Sequence, residues 1–129
     1  MGIDPGTVIT GIGIIEIRND RISAIDIDCI NLNKKLPIPE RLKIIYEVCS
    51  EKMLKHKPDE FAIETAFYHK NIQSTLKLGQ ARGVALIAAV NSKLNISEYS
   101  PREIKKSVTG SGASSKEQVQ FMIKSILSL

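Results

Sequence analysis

Residues 8–28 restrict the possible folds more than any other stretch of the chain. Val8-Ile9-Thr10-Gly11-Ile12-Gly13-Ile14-Ile15-Glu16-Ile17 is β-branched and apolar, with no helical period. Asn19-Asp20 is a turn signal, and Arg21-Ile22-Ser23-Ala24-Ile25-Asp26-Ile27-Asp28 then alternates with period two. Two such runs joined by a tight turn form an antiparallel hairpin whose second strand is half-exposed. The chain must therefore build a sheet, and everything after residue 28 must pack around that hairpin.

The remainder alternates helix and strand. Pro37 and Pro39 mark a loop that ends the strands. From Glu40 to Lys57, Leu42, Ile45, Cys49 and Met53 recur at helical spacing, and Lys55-His56-Lys57-Pro58 closes that helix with basic residues and a proline. Asp59-Glu60-Phe61-Ala62-Ile63-Glu64 is a short buried strand, Asn71 to about Lys93 a long helix, and Asn95 to Tyr99 a further strand. Two short helices follow. Ser100-Pro101-Arg102-Glu103 predicts a capping box, and Ser114 with Glu117 repeats the same serine-to-glutamate spacing. Between them, Thr109-Gly110-Ser111-Gly112-Ala113 is expected to be a flexible loop. Strands alternating with helices imply parallel pairing in the second half. The expected architecture is an α/β fold with a mixed five-stranded sheet flanked by helices, formed by residues 1–129 as one domain.

Size and charge set the class. The chain has 129 residues, enough for one domain with one core. It contains no run of 18 apolar residues and no leader-like start, so a cytoplasmic location is expected. Cys29 and Cys49 are spaced unlike any metal motif and read as reduced thiols. A net charge of +4 favours anionic partners, nucleic acid first. The scarcity of aromatics, with no tryptophan, argues against a single-strand binder built on stacked rings.

Two carboxylates carry the candidate chemistry. Asp4 ends the first strand and is followed at once by Pro5-Gly6, while Glu64 ends the fourth strand after Phe61-Ala62-Ile63. If those strands are neighbours, the two acids converge at one end of the sheet. Close carboxylates repel unless one protonates or a cation lies between them. Hard oxygen ligands suit magnesium or manganese, and two such ions about 4 Å apart can activate water and stabilise a leaving oxygen in phosphodiester hydrolysis. The competing reading makes Asp4 a turn residue and Glu64 a solvated strand end.

Several segments resemble one family, in order along the chain. Gly2-Ile3-Asp4-Pro5-Gly6 with Thr10-Gly11-Ile12-Gly13, Phe61-Ala62-Ile63-Glu64 with Phe67, and Asn71 through Gly83 all resemble RuvC-type Holliday junction resolvases. So do Glu98-Tyr99-Ser100-Pro101 with Lys105-Lys106, and Gly110 through Gly112 leading to Lys116-Glu117-Gln118-Val119. The resemblance implies an RNase H-like fold, four acids holding two Mg2+ ions (with Mn2+ as a substitute), and a homodimer that nicks two opposed strands of a four-way DNA junction. It also implies a RuvAB-type branch-migration partner. On it, Asp4 and Glu64 are catalytic metal ligands, Lys105, Lys106 and Lys116 hold DNA phosphate, and Phe67 lies at the junction point. A surface role is expected for His69. The family's other two acids are expected in an Asp-x-x-Asp-like segment just past the position equivalent to Leu129, and this sequence has no acid after Glu117. Metal binding by the chain as it stands is therefore expected to be weakened, and cleavage lost or severely reduced.

The long helix carries Gly79 and Gly83, then turns apolar on nearly every side from Val84 to Val90, Ile87 included. A helix apolar all round must be covered all round. Either a partner subunit covers its outer side, with Gly79, Gly83 and Ile87 in the interface, or the glycines pack closely on the chain's own sheet. Two other functional readings stand beside the resolvase. One is a non-catalytic junction-binding module. The other is a phosphate-binding domain of the actin-like or sugar-kinase type, which Asp4-Pro5-Gly6 with Thr10 also resembles but which needs two such domains.

Overall fold

The structure is a computed structural model that describes residues 1–65 and 70–129. Its strands are β1 (Gly2–Asp4), β2 (Ile9–Arg18), β3 (Arg21–Asn31), β4 (Glu60–Glu64) and β5 (Asn95–Tyr99). Its helices are α1 (Ile38–His56), α2 (Ile72–Asn91), α3 (Pro101–Thr109) and α4 (Lys116–Leu127). The sheet order is β3-β2-β1-β4-β5. β1, β2 and β3 pair antiparallel, whereas β1–β4 and β4–β5 are parallel. The expected mixed five-stranded sheet is thus present, with β1 at its centre.

The hairpin turns as its sequence predicts. Asn19 and Asp20 both take left-handed conformations, φ 51° and 61°, which suit a tight turn between right-twisted strands. A register shift between Ile14 and Ile15 bends the long strands. Ile3, Ile12, Ile14, Phe61 and Ile63 line the buried face of the sheet together with Ile45, Cys49 and Met53 of α1 and Ala81, Ala85, Ala88 and Ala89 of α2. The small alanines let α2 lie close to its neighbours. Burial raises the Cys49 thiol pKa to about 11, so this cysteine is an inert core residue. At the far edge, the Lys52 ammonium bridges Asp26 (2.8 Å) and Asp28 (3.0 Å), and His56 Nε2 lies 3.0 Å from Asp26. The Lys52 hydrogen bond holds both carboxyls below their ordinary pKa range and pins α1 to β3.

Three local expectations need correction. Helix α1 begins at Ile38, so Pro39 lies in its first turn, not in the preceding loop. An N–H is dispensable there, and the fixed φ of proline suits a helix start. The second capping box is shifted by one residue: Ser115 is the N-cap of α4 and Gln118 closes the box, in place of Ser114 and Glu117. The Ser114 hydroxyl is occupied elsewhere, donating to the Ser111 carbonyl at 2.9 Å and hydrogen-bonding to the Thr109 hydroxyl. Those bonds stitch the 109–114 segment together, with Thr109 Oγ1 also lying 2.8 Å from the Lys105 carbonyl oxygen, so it is not the free loop its glycines suggest. The first box, Ser100 with Glu103, forms as expected.

Candidate metal and nucleic-acid site

Strand register brings the two acids together. β1 and β4 run parallel with Ile3 beside Ile63, so Asp4 and Glu64 follow on the opposite face of the sheet, at the C-terminal ends of adjacent central strands. The partner of Asp4 on β2 is Gly11, where an added Cβ would be in ordinary van der Waals contact with the Asp4 Cβ, at 3.8 Å. On the other side Tyr99 pairs with Glu64, so the half-exposed Tyr99 side chain leaves the sheet on the same face as Glu64. Nothing in the composition singled out Tyr99. Its place beside Glu64 follows only from the β4–β5 register.

Electrostatics follow from this arrangement. Burial raises the pKa of the Glu64 carboxyl, the charge on Asp4 raises it further, and Lys105 on α3 opposes both. Asp4, Glu64 and Lys105 thus form one coupled cluster. Replacing Asp4 with asparagine removes the repulsion and leaves the burial, so the Glu64 pKa is expected to fall part of the way towards its ordinary value. Carboxyl carbon-13 chemical shifts followed against pH measure this directly, and an unchanged midpoint would contradict the geometry.

The turn that follows Asp4 is held from two directions. The Gly6 N–H donates to Thr10 Oγ1 at 3.1 Å and the Thr10 hydroxyl donates to the Gly6 carbonyl at 2.7 Å. Arg41 of α1 reaches the same region. Its Nε donates to the Leu36 carbonyl at 2.8 Å, one Nη donates to the Lys34 carbonyl, and the other lies 3.4 Å from the Thr7 carbonyl. Gly6 is obligatory, because a Cβ there would sit 2.4 Å from the Ile9 carbonyl oxygen.

Lys106 is exposed on α3, and Lys116 is exposed on the first turn of α4. Of the three candidate lysines, Lys105 is the one whose charge reaches Glu64. Phe67 and His69 lie outside the described residues. On α2, a Cβ at Gly79 or Gly83 would meet nothing within 4 Å among the described residues, so these glycines are not closely packed against the described part of the chain. Ile72, Leu76, Gly79, Gly83, Ile87 and Val90 follow one another at steps of three and four, and so share one stripe of the helix. Ile72, Leu76, Ile87 and Val90 are all more than half exposed.

A hard cation fits this donor set. The carboxylates are oxygen ligands, and their mutual repulsion is what a divalent ion relieves. Among the described residues no group of three or more His, Cys, Asp or Glu side chains forms a metal cluster. The pair suits a hard divalent ion that takes further oxygens from other donors, water or a phosphate.

A mixed sheet of this order, with acids on its central strand ends, places the molecule in the RNase H-like class. Comparison with known proteins narrows the class. The family model for crossover junction endodeoxyribonuclease RuvC matches residues 1–129. The chain is 46% identical to the crossover junction endodeoxyribonuclease RuvC of Chloroherpeton thalassium over 129 residues, covering 100% of this chain and 69% of that one. It is 50% identical to that of Dichelobacter nodosus over 127 residues, covering 98% and 72%. Among solved structures, Thermus thermophilus RuvC in complex with a Holliday junction substrate superposes with a TM-score of 0.93 at 27% identity, covering 99% of this chain and 78% of that one. The chain belongs to the RuvC family of crossover junction endodeoxyribonucleases, which are metal-dependent nucleases. No described helix is long and apolar enough to cross a membrane.

Proposed function

We propose that this chain is a structure-selective endonuclease that resolves four-way DNA junctions, with Asp4 and Glu64 as the carboxylates that hold its metal. The observation that carries this is their shared face and electrostatic coupling at the ends of adjacent central strands, with Lys105 alongside. Mg2+ is the metal the hard donors suit, and Mn2+ substitutes for it. When bound, such an ion supplies charge stabilisation to a phosphodiester undergoing hydrolysis. Asp4 and Glu64 hold the cation at the sheet end. Lys105 holds a phosphate beside them, and Lys106 and Lys116 extend the cationic surface along the duplex arms. The N-terminus of α4, where Lys116 lies, adds outward-pointing N–H groups to that surface.

The exposed stripe on α2 supports a homodimer in this reading. Leucine and isoleucine side chains flanking bare glycines give a second copy an apolar surface it can approach closely. A two-fold dimer matches the approximate two-fold symmetry of a four-way junction and presents two sites to two equivalent strands. A RuvAB-type motor acting on the same junction completes the scheme, in a cytoplasmic setting.

Cleavage mapping tests this. Each strand of a four-way junction is end-labelled in turn and incubated with the protein and Mg2+. The reading expects nicks paired in two opposed strands at symmetric positions. Nicks scattered equally over all four strands, or equal cutting of linear duplex, would overturn it.

A further inference from the structure

We propose that Thr10 is a positioning residue for the Asp4 carboxylate, acting through the Gly6 backbone. This rests on the reading of Asp4 as a metal ligand and adds a residue to that site. β1 has only three residues, and its ladder with β2 ends at the Asp4–Gly11 pair. Beyond Asp4 the chain leaves the sheet, and a strand end with no further ladder bonds frays unless something ties it down. The Thr10 hydroxyl is that tie. It satisfies both the N–H and the C=O of Gly6, at 3.1 and 2.7 Å, and Thr10 is completely buried. Both ends of the short segment that carries Asp4 are then fixed, by the Gly11 pairing on one side and the Gly6 bonds on the other.

The hydroxyl does not act as a ligand itself. Thr10 shares the buried face of β2 with Ile12 and Ile14, while Asp4 lies opposite Gly11, the next residue along, on the other face. Its effect on a metal is therefore transmitted only through the turn. Serine in its place keeps the donor and acceptor. Valine keeps the shape and loses both.

The test compares the unsubstituted chain with Thr10→Val, Thr10→Ser and Asp4→Asn. Two quantities are read. Side-chain Hα–Hβ couplings of Asp4, without metal, report whether its carboxylate occupies one rotamer. Water-proton relaxation gives the Mn2+ dissociation constant. Circular dichroism and metal-free junction binding serve as controls for folding. The expectation is that T10V averages the Asp4 couplings and weakens Mn2+ binding about tenfold, in the range typical of outer-shell substitutions. T10S is expected to retain one rotamer and stay within about threefold of the unsubstituted affinity. If T10V leaves both the couplings and the affinity unchanged, the proposal fails. If T10S fails as badly as T10V, the methyl packing and not the hydroxyl is responsible, and the proposal also fails. If D4N binds Mn2+ as tightly as the unsubstituted chain, the metal reading of Asp4 fails separately, and the couplings alone decide whether Thr10 positions it.

Discussion

Asparagine at position 4, or glutamine at position 64, is expected to lower Mg2+-dependent junction cleavage by about two orders of magnitude or more, because each removes charge that the cation needs where phosphate charge develops. Mn2+ affinity falls in parallel, by about tenfold or more for each single substitution. Metal-free junction binding stays within about twofold, since neither acid is a cation that neutralises phosphate. The two substitutions are not additive, because the carboxylates lie in one cluster and their charges are coupled across the β1–β4 pair. Relaxation titration with Mn2+ is the more sensitive readout if the cleavage of the chain is weak. Cleavage in D4N equal to the unsubstituted rate would remove Asp4 from the site.

The largest stability loss is expected from Phe61→Ala, about 3–5 kcal/mol by analogy with other buried phenylalanines. Phe61 is 1% exposed as the second residue of β4, beside Ile96 of β5 and in the same cluster as Ile45 and Ile63. Truncation leaves a cavity between the sheet and α1 and α2 that rigid strands close poorly. Domains of this size are stable by only about 5–15 kcal/mol, so the urea midpoint should drop sharply at nearly constant slope. The consequence extends to the site, because Glu64 sits three residues along the same strand. A loss below about 1 kcal/mol would mean that β4 is not the packed centre described.

The parts of this molecule that were legible in the sequence are those that local pattern dictates. The hairpin was legible because β-branched alternation on either side of Asn19-Asp20 leaves few other solutions, and both turn residues do adopt left-handed φ. The convergence of Asp4 and Glu64 was legible only conditionally. Both acids visibly end strands, but their adjacency depends on β1 lying between β2 and β4, which is a property of the whole sheet.

What was missed or misplaced depends on tertiary context. Ser114-Glu117 and Ser115-Gln118 satisfy the capping pattern equally well. Burial of Ser114 against the 109–111 segment chooses between them. Lys105 and Lys106 are indistinguishable as neighbours in sequence, yet the helical turn brings the charge of Lys105 to bear on Glu64. Thr10 stands out in the sequence only as part of the motif that follows Asp4, and its hydroxyl's two bonds to Gly6 emerge only once the turn is folded. Tyr99 borders Glu64 by strand register alone.

Recognition of a four-way junction is tested most directly by competition binding. Labelled junction is mixed with the protein and an excess of linear duplex of the same sequence, at one fixed salt concentration and without divalent metal, and resolved on a native gel. The salt must be held constant because phosphate contacts alone change affinity steeply with ionic strength. Retention of the shifted junction against duplex competitor is the result expected here. Loss of the complex to duplex and junction alike would show that the basic surface binds DNA by charge alone, and would contradict a junction-selective enzyme.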